Sequence, residues 1–448
     1  MLSSDDALAR VNDLIAAARR AGAEAADAVY SGDSSTHVAV RLGALEDVQR
    51  SEGEEIGLRV FVGKRSASVS SSDLSAASLS ALAERATAMA REAPEDGYAG
   101  LAPEERLMKG GIPALDLDDG VDPDPMALKA RALAAEDAAR AVKGVSNSEG
   151  GGASVGRTLF ALATSHGFSG AYAMSGHGAS VSVIAGEGSG MERDGAYHSA
   201  RHLSDLEDAE AIGRRAGERA VARLDPVKFA SGAMPVVFDP RVGGSLVGHL
   251  LGAINGAAIA RRTSFLLDRL GDEVAASAIT ILDDPHRIRG LRSRPFDGEG
   301  LPTAASRILD AGVLTGWLMD SASARQLGLA PTGHAARGTS GAPGAGASNV
   351  HMAPGEVSRE ALIAGVGEGI LVTHLIGQGV NGVTGDYSRG ASGFLIRGGE
   401  IGPAVTELTI AGNLKDMLRH IVPANDLAFR HAVNVPTLRI DGMTVACG

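Results

Sequence analysis

The chain has 448 residues, 44% of them hydrophobic and only 3% aromatic, and carries a net charge of −12. Single cores usually stop growing near about 250–300 residues, so two or three domains are expected. No long Lys/Arg block exists to track phosphates, which excludes nucleic acid as a partner, and no window approaches the ~20 apolar residues of a bilayer span.

Ser4 is placed to cap a helix through DALARVNDLIAAARRAG, with Leu8, Val11, Leu14 and Ile15 on one face and Gly22 ending it. From Ala26 to Ser70 the period changes to two. THVAVRL, LEDVQRS, EIGLRVFVG and SASVSSS alternate between turn residues, as in an antiparallel meander. A second amphipathic helix is predicted from Leu74 to Ala93. Residues 94–125, rich in Pro, Gly and Asp, read as a long connection. Met126 to Val142 is helical again, followed by the alternating runs RTLFALATS, GAYAMSG and ASVSVIAGE and a helix from Leu206 to Leu224. Residues 1–225 thus form an amino-terminal region whose possible subunits, 1–93 and 126–225, share one helix–strands–helix order.

Asp225-Pro226 begins a break, and GAMPVVFDP opens a second domain over 231–448. There the pattern predicts a helix from Val242 to Ala260, strands in SAITILDD and GWLMDS, a mobile small-residue loop over 337–349, and a helix in EVSREALIAGVG. Without regular βαβ alternation, an α+β fold is expected: antiparallel sheet with flanking helices, then a β-rich carboxyl-terminal domain containing a glycine-lined helix.

Several motifs fail their context tests. GQGVNG (Gly377 to Gly382) fits G-x-G-x-x-G, but the glycine-broken segment after it cannot start the helix that a pyrophosphate needs. Ser154 in GASVG lacks the strand–turn–helix setting of a nucleophile elbow and reads as a turn serine. His198 and His202 are four apart, without a neighbouring Glu, and read as solvent-facing. Cys447 is alone, which favours a reducing compartment, and two early aspartates argue against a secretory signal; a cytoplasmic location is expected. In VGGSLVGHLLGAINGAAIARRTSFL the glycines cost up to ~1 kcal/mol each in a helix, so that helix must pack against a backbone or face a cavity. His249 on it reads as a core or cavity histidine.

The strings VGHLLGAINGAAIARRTSFL, PTGHAARGTSG, GVNGVTGDYSRGASGFLIRGGEI and VTELTIAGNLKDMLRHI resemble the TldD/PmbA family of peptidase proteins, and specifically its PmbA branch, also called TldE. The resemblance spans essentially the whole chain. It implies a heterodimeric protease in which a TldD subunit holds zinc through an H-E-x-x-x-H helix and a later cysteine. Zinc lowers the pKa of its water to about 7, and the motif's Glu serves as general base. Carried onto this chain, the motif leaves His249 as its last histidine but puts Gly244 on the first and Ser245 on the glutamate. The segment before the final PTLRI strand has no cysteine.

The resemblance therefore implies a non-zinc subunit. No catalytic residue, metal or cofactor is expected here; zinc belongs to a TldD-type partner, and unfolded or small peptides are the substrate. Asn381, Asp386, Ser388, Arg389 and Asn413 are expected to handle peptide or to lie at an interface, with Asp386 and Arg389 as an ion pair. Gly379, Gly382 and Gly385 are expected at positive φ or close backbone approaches. The alternatives are a self-sufficient metallopeptidase using His198, His202 and His249, or a peptide-binding homodimer without enzymatic activity.

Overall fold

A computed structural model describes residues 1–447. Helix α1 (Ser4–Arg20) is capped by Ser3, one residue before the expected cap, through a 3.1 Å bond from the Asp6 amide to its hydroxyl. Gly22 ends it at φ +95°, while the Ala23 amide reaches back to the Ala18 carbonyl. The expected meander becomes β1 (Ala25–Arg41), β2 (Ala44–Val62) and β3 (Arg65–Ser71). LEDVQRS and EIGLRVFVG are one strand, because the SEGEE between them continues the pairing with β1. After α2 (Ala76–Glu92), the connection and α3 (Pro125–Arg140) come β4 (Val145–Thr164), β5 (Ser169–Ala185), β6 (Glu192–Ala200) and α4 (Ala209–Ala222). Ser154 lies inside β4, paired with His37 and Gly178, and not in the expected turn.

These six strands form one antiparallel sheet, in the order β3-β2-β1-β4-β5-β6. Alternation sends Ala26, Ala28, Tyr30, Val38 and Val40 of β1 to the side covered by all four helices. Asp27 and Val29 face the other way, toward the carboxyl-terminal domain.

That domain runs through β7 (Gly232–Phe238), α5 (Pro240–Ala253), α6 (Gly256–Ala260), β8 (Ile281–Asp283), β9 (Ser306–Asp310), β10 (Val313–Leu314), α7 (Ser321–Leu327), β11 (Ala335–Ala336), β12 (Gly344–Ala345) and β13 (Val350–Met352). It continues through α8 (Arg359–Ala364), β14 (Glu368–Ile376), β15 (Asp386–Arg397), β16 (Glu400–Asn413), α9 (Leu414–Arg419), β17 (Ile421–Pro423), β18 (Val433–Asn434) and β19 (Leu438–Cys447). A six-stranded sheet, β16-β15-β14-β7-β19-β17, and a five-stranded one, β10-β9-β8-β13-β18, flank its main core. The expected helix over 242–260 breaks at Asn255, whose side chain accepts the Ala257 amide and starts α6. GWLMDS is not a strand; its Asp320 caps α7. Among the described residues no helix is long and apolar enough to cross a membrane.

The two regions meet through scarce aromatics and buried charge. Phe296 of the carboxyl-terminal domain packs edge-on against Phe168 at 4.9 Å and Tyr172 at 5.3 Å. Beside it, Asp27 and Arg59 stand opposite one another in the β1–β2 register and join at 2.5 Å. Arg337 reaches the same carboxylate from the other region as a charge pair, none of its guanidinium nitrogens being aligned for a hydrogen bond. Glu299 stands 4.0 Å from Arg59. The side chains of Asp27 and Arg337 are each 1% exposed. Burial by itself would raise the Asp27 pKa, but Arg337 and Arg59 outweigh it and hold the carboxyl below its usual range. The segment 337–349, expected to be a mobile loop, is held by this pair and by the Thr339 hydroxyl on Glu55.

Replacing Asp27 with Ala strands two buried guanidiniums. Urea unfolding is expected to show a loss of about 3–5 kcal/mol, the usual result of breaking a buried pair from one side; a loss below about 1 kcal/mol would show that the clasp does not hold the regions together.

Candidate functional site

Helix α5 begins where Asp239 accepts the Arg241 amide at 3.0 Å and Pro240 takes the first helical position. Leu246, Val247, Leu250 and Ala253 fix its inner face in the core. Gly243 is there for contact, since a Cβ would sit 2.9 Å from Val435. Gly248 and Gly252, one turn apart, have open space where a Cβ would be. The helix thus packs on one face against side chains of Val435 and Leu438, where the sequence led one to expect a backbone, and is open on another.

Three positions test the fit of a metal. Gly244 offers no ligand, and Ser245 spends its hydroxyl on the Val242 carbonyl at 2.6 Å. His249, half-buried, is left without either companion. Among the described residues no group of three or more His, Cys, Asp or Glu side chains is placed to hold a metal ion. The residues present do not fit zinc.

His249 meets β15 instead. Its ring stands edge-on to Tyr387, with centroids 6.0 Å apart and planes at 75°. Strand alternation puts Tyr387 and Arg389 on the buried side of β15 and leaves Asp386 and Ser388 exposed. The His249 Nε2, the Tyr387 hydroxyl and the Arg389 Nε are all buried without a hydrogen-bond partner in the protein. Burial, and then the Arg389 charge, push the His249 pKa below its ordinary value, so its ring is neutral at neutral pH. Burial raises the Tyr387 hydroxyl to about 12 against the pull of Arg389. A neutral imidazole, a phenol and a guanidinium together can receive a carbonyl or carboxylate oxygen without transferring a proton.

The other expected residues are divided. Asn381, Asp386 and Asn413 form a separate exposed turn. Asn381 Oδ1 accepts the Val383 and Thr384 amides, and Asn413 donates to Asp386 Oδ1 at 3.0 Å while its own Oδ1 accepts from Lys415. The Thr384 hydroxyl and then Asn413 lower the Asp386 pKa. The expected ion pair with Arg389 does not form, because residues three apart on a strand face opposite sides. Ser388 binds the Gly379 carbonyl only through its backbone amide, at 2.7 Å.

Of the three glycines, Gly385 has φ +86° and Gly379 lies where a Cβ would overlap the Ser388 carbonyl. Gly382 shows neither feature, contrary to expectation. Tyr387 escaped the sequence reading, although its place two before Arg389 in an alternating strand was the available signal.

The alternative histidine set does not assemble. His198 accepts the Glu207 amide on β6, and His249 lies against β15. His202 is not solvent-facing: it is buried on the Asp116 carbonyl at 3.0 Å.

The chain matches three family models: PmbA/TldA metallopeptidase domain 1 over residues 26–90, the central domain over 117–224 and the C-terminal domain over 231–447. It is 38% identical over 434 residues to the metalloprotease PmbA of Escherichia coli, covering 96% of this chain and 94% of that protein. With the metalloprotease PmbA homolog of Haemophilus influenzae the identity is 35%, over 96% and 93% of the two chains. A solved Bacteroides thetaiotaomicron protein, titled a modulator of DNA gyrase, superposes with a TM-score of 0.91 at 28% identity, covering both chains fully. TldE from Thermococcus kodakarensis gives 0.87 at 22% identity, over 98% of this chain and all of the other, a likeness of fold.

Replacing Arg389 with Gln removes one of the two causes that depress His249. An NMR titration is expected to place the His249 pKa higher in that variant than in the parent chain, yet still below the ordinary 6.5, because burial remains. An unchanged or lowered value would contradict the geometry.

Proposed function

Since the chain belongs to the PmbA/TldD family of metallopeptidases, we propose that it serves as the TldE-type subunit, without zinc, of a heterodimeric peptidase. The observation that carries this reading is the state of α5. Its helix and last histidine persist, while Gly244 has no donor atom and Ser245 has turned its hydroxyl back onto the helix. Without a base at that position and without a ligand set, this chain activates no water.

What it contributes is wall and grip. Gly248 and Gly252 leave the outward side of α5 bare, so that another backbone can come close. The His249 Nε2, the Tyr387 hydroxyl and the Arg389 Nε, which have no hydrogen-bond partner in the protein, offer polar atoms to a peptide carbonyl or carboxylate. The TldD-type partner supplies zinc and the general base, and the enclosed space between the subunits admits unfolded or small peptides. A cytoplasmic setting agrees with the lone free cysteine, Cys447.

Co-expression with a TldD-type subunit tests the reading. The complex is expected to cleave unfolded peptides in a chelator-sensitive manner, whereas this chain alone cleaves none. Chelator-sensitive cleavage by the isolated chain would overturn it.

A further inference from the structure

Between the two regions lies a cleft of about 640 Å³, separate from the His249 cluster. One wall comes from β6 and α4, the other from the start of α5, the start of α8, β14 and the segment 426–435. In a chain with a net charge of −12, five arginines line it: Arg215, Arg219, Arg241, Arg359 and Arg430.

The lining also holds Asp194, Asp239 and Asp426, so the balance has to be followed atom by atom. Asp239 and Asp194 both face Arg241, at 3.2 and 3.4 Å, and Asp194 also meets His374 at 3.4 Å. Asp426 is taken by the amide and hydroxyl of Thr437, each at 2.7 Å. Arg215 and Arg430 share the single carboxylate of Glu207, at 2.6 and 3.1 Å. Two arginines remain without an ion pair. Arg219 reaches only the Gly195 carbonyl, at 3.2 Å, and Arg359 makes no hydrogen bond or ion pair among the described residues. Burial, and then repulsion from Arg241, push Arg219 down to about 10, outweighing the pull of Asp194 and Asp239.

We propose that this cleft binds an acidic peptide segment through its carboxylates, with Arg219 and Arg359 as the principal anchors. The inference rests on the peptide-handling reading above and names its substrate class. Three observations point to an acidic peptide over a compact inorganic anion. The unpaired cations come from opposite walls, which suits negative groups spaced along a chain. Val242, Leu375 and Val435 also line the cleft and match side-chain methylenes. The volume exceeds what one phosphate needs. Guanidinium forks bind carboxylates in bidentate geometry, so each anchor supplies direction as well as charge.

Calorimetry on the full chain, without a partner subunit, tests this with a tetraglutamate peptide, its tetraglutamine analogue and inorganic phosphate. The glutamate peptide is expected to bind at least about tenfold more tightly than the glutamine one, and added salt to weaken it. Arg219→Gln and Arg359→Gln are each expected to lower its affinity by about tenfold, the loss of one charge-assisted contact. Arg359 is half-buried and unpaired, so its variant keeps the test decisive should Arg219→Gln fail to fold. Equal binding of the two peptides, or affinity unchanged in both variants, would overturn the proposal. So would phosphate that competes as strongly as the peptide, which would make the cleft a simple anion site. Because no zinc and no cleavage enter this measurement, its failure leaves the subunit assignment standing, and failure of that assignment leaves a positive binding result in place.

Discussion

The architecture turns on one carboxylate, Asp27, set between Arg59 of its own sheet and Arg337 of the other region. The six-stranded sheet has helices on one side only, so its other side must be covered, and a buried charge is a demanding way to cover it. The arrangement works because β1–β2 pairing itself fixes Arg59 opposite Asp27, and Arg337 adds a second guanidinium. Glu299, beside the cluster, is pushed up to about 7, chiefly by burial. The folded chain thus keeps a proton there that an unfolded chain would release near 4.5; the stability it adds is full below that value and is lost as the pH rises through 7. Phe296, wedged among Phe168 and Tyr172, adds the apolar half of the junction.

The same meeting of the two regions shapes the cleft between them. The arginine cleft exists because β6 and α4 are held against α5 and β14, and Arg223 strengthens the same seam by joining Glu192 to His374. The His249 cluster depends on a different regularity, the period-two alternation of β15, which turns Tyr387 and Arg389 inward. One strand therefore presents a self-satisfied turn outward and unsatisfied polar atoms inward. The contrast matters: Asn381 takes amides of its own turn and Asn413 holds Asp386, whereas the His249 Nε2, the Tyr387 hydroxyl and the Arg389 Nε have no hydrogen-bond partner in the protein.

Much of this could be read in the sequence where the signal is local. The helices α1 to α4, the period-two runs and the absence of a helix after GQGVNG follow from local pattern, and the family follows from long strings in the second half. Features that depend on distant partners could not be read. Nothing local says that SEGEE stays paired, that Asn255 would interrupt a helix, or that Asp27 meets Arg337 more than 300 residues away. Asp386 and Arg389 invited an ion pair because opposite charges stand three apart, which is favourable on a helix and impossible across the two faces of a strand. His202 was hidden for the same reason, its cover coming from Asp116 in the long connection. The five cleft arginines lie between positions 215 and 430, and only the topology gathers them.

The proposed function turns on whether α5 holds a metal ion. Native mass spectrometry of the complex with a TldD-type subunit, followed by separation of the two chains, tests it most directly. The account predicts that every zinc ion stays with the partner and that this chain leaves at its bare mass of about 45.5 kDa. A zinc ion leaving with this chain would contradict it.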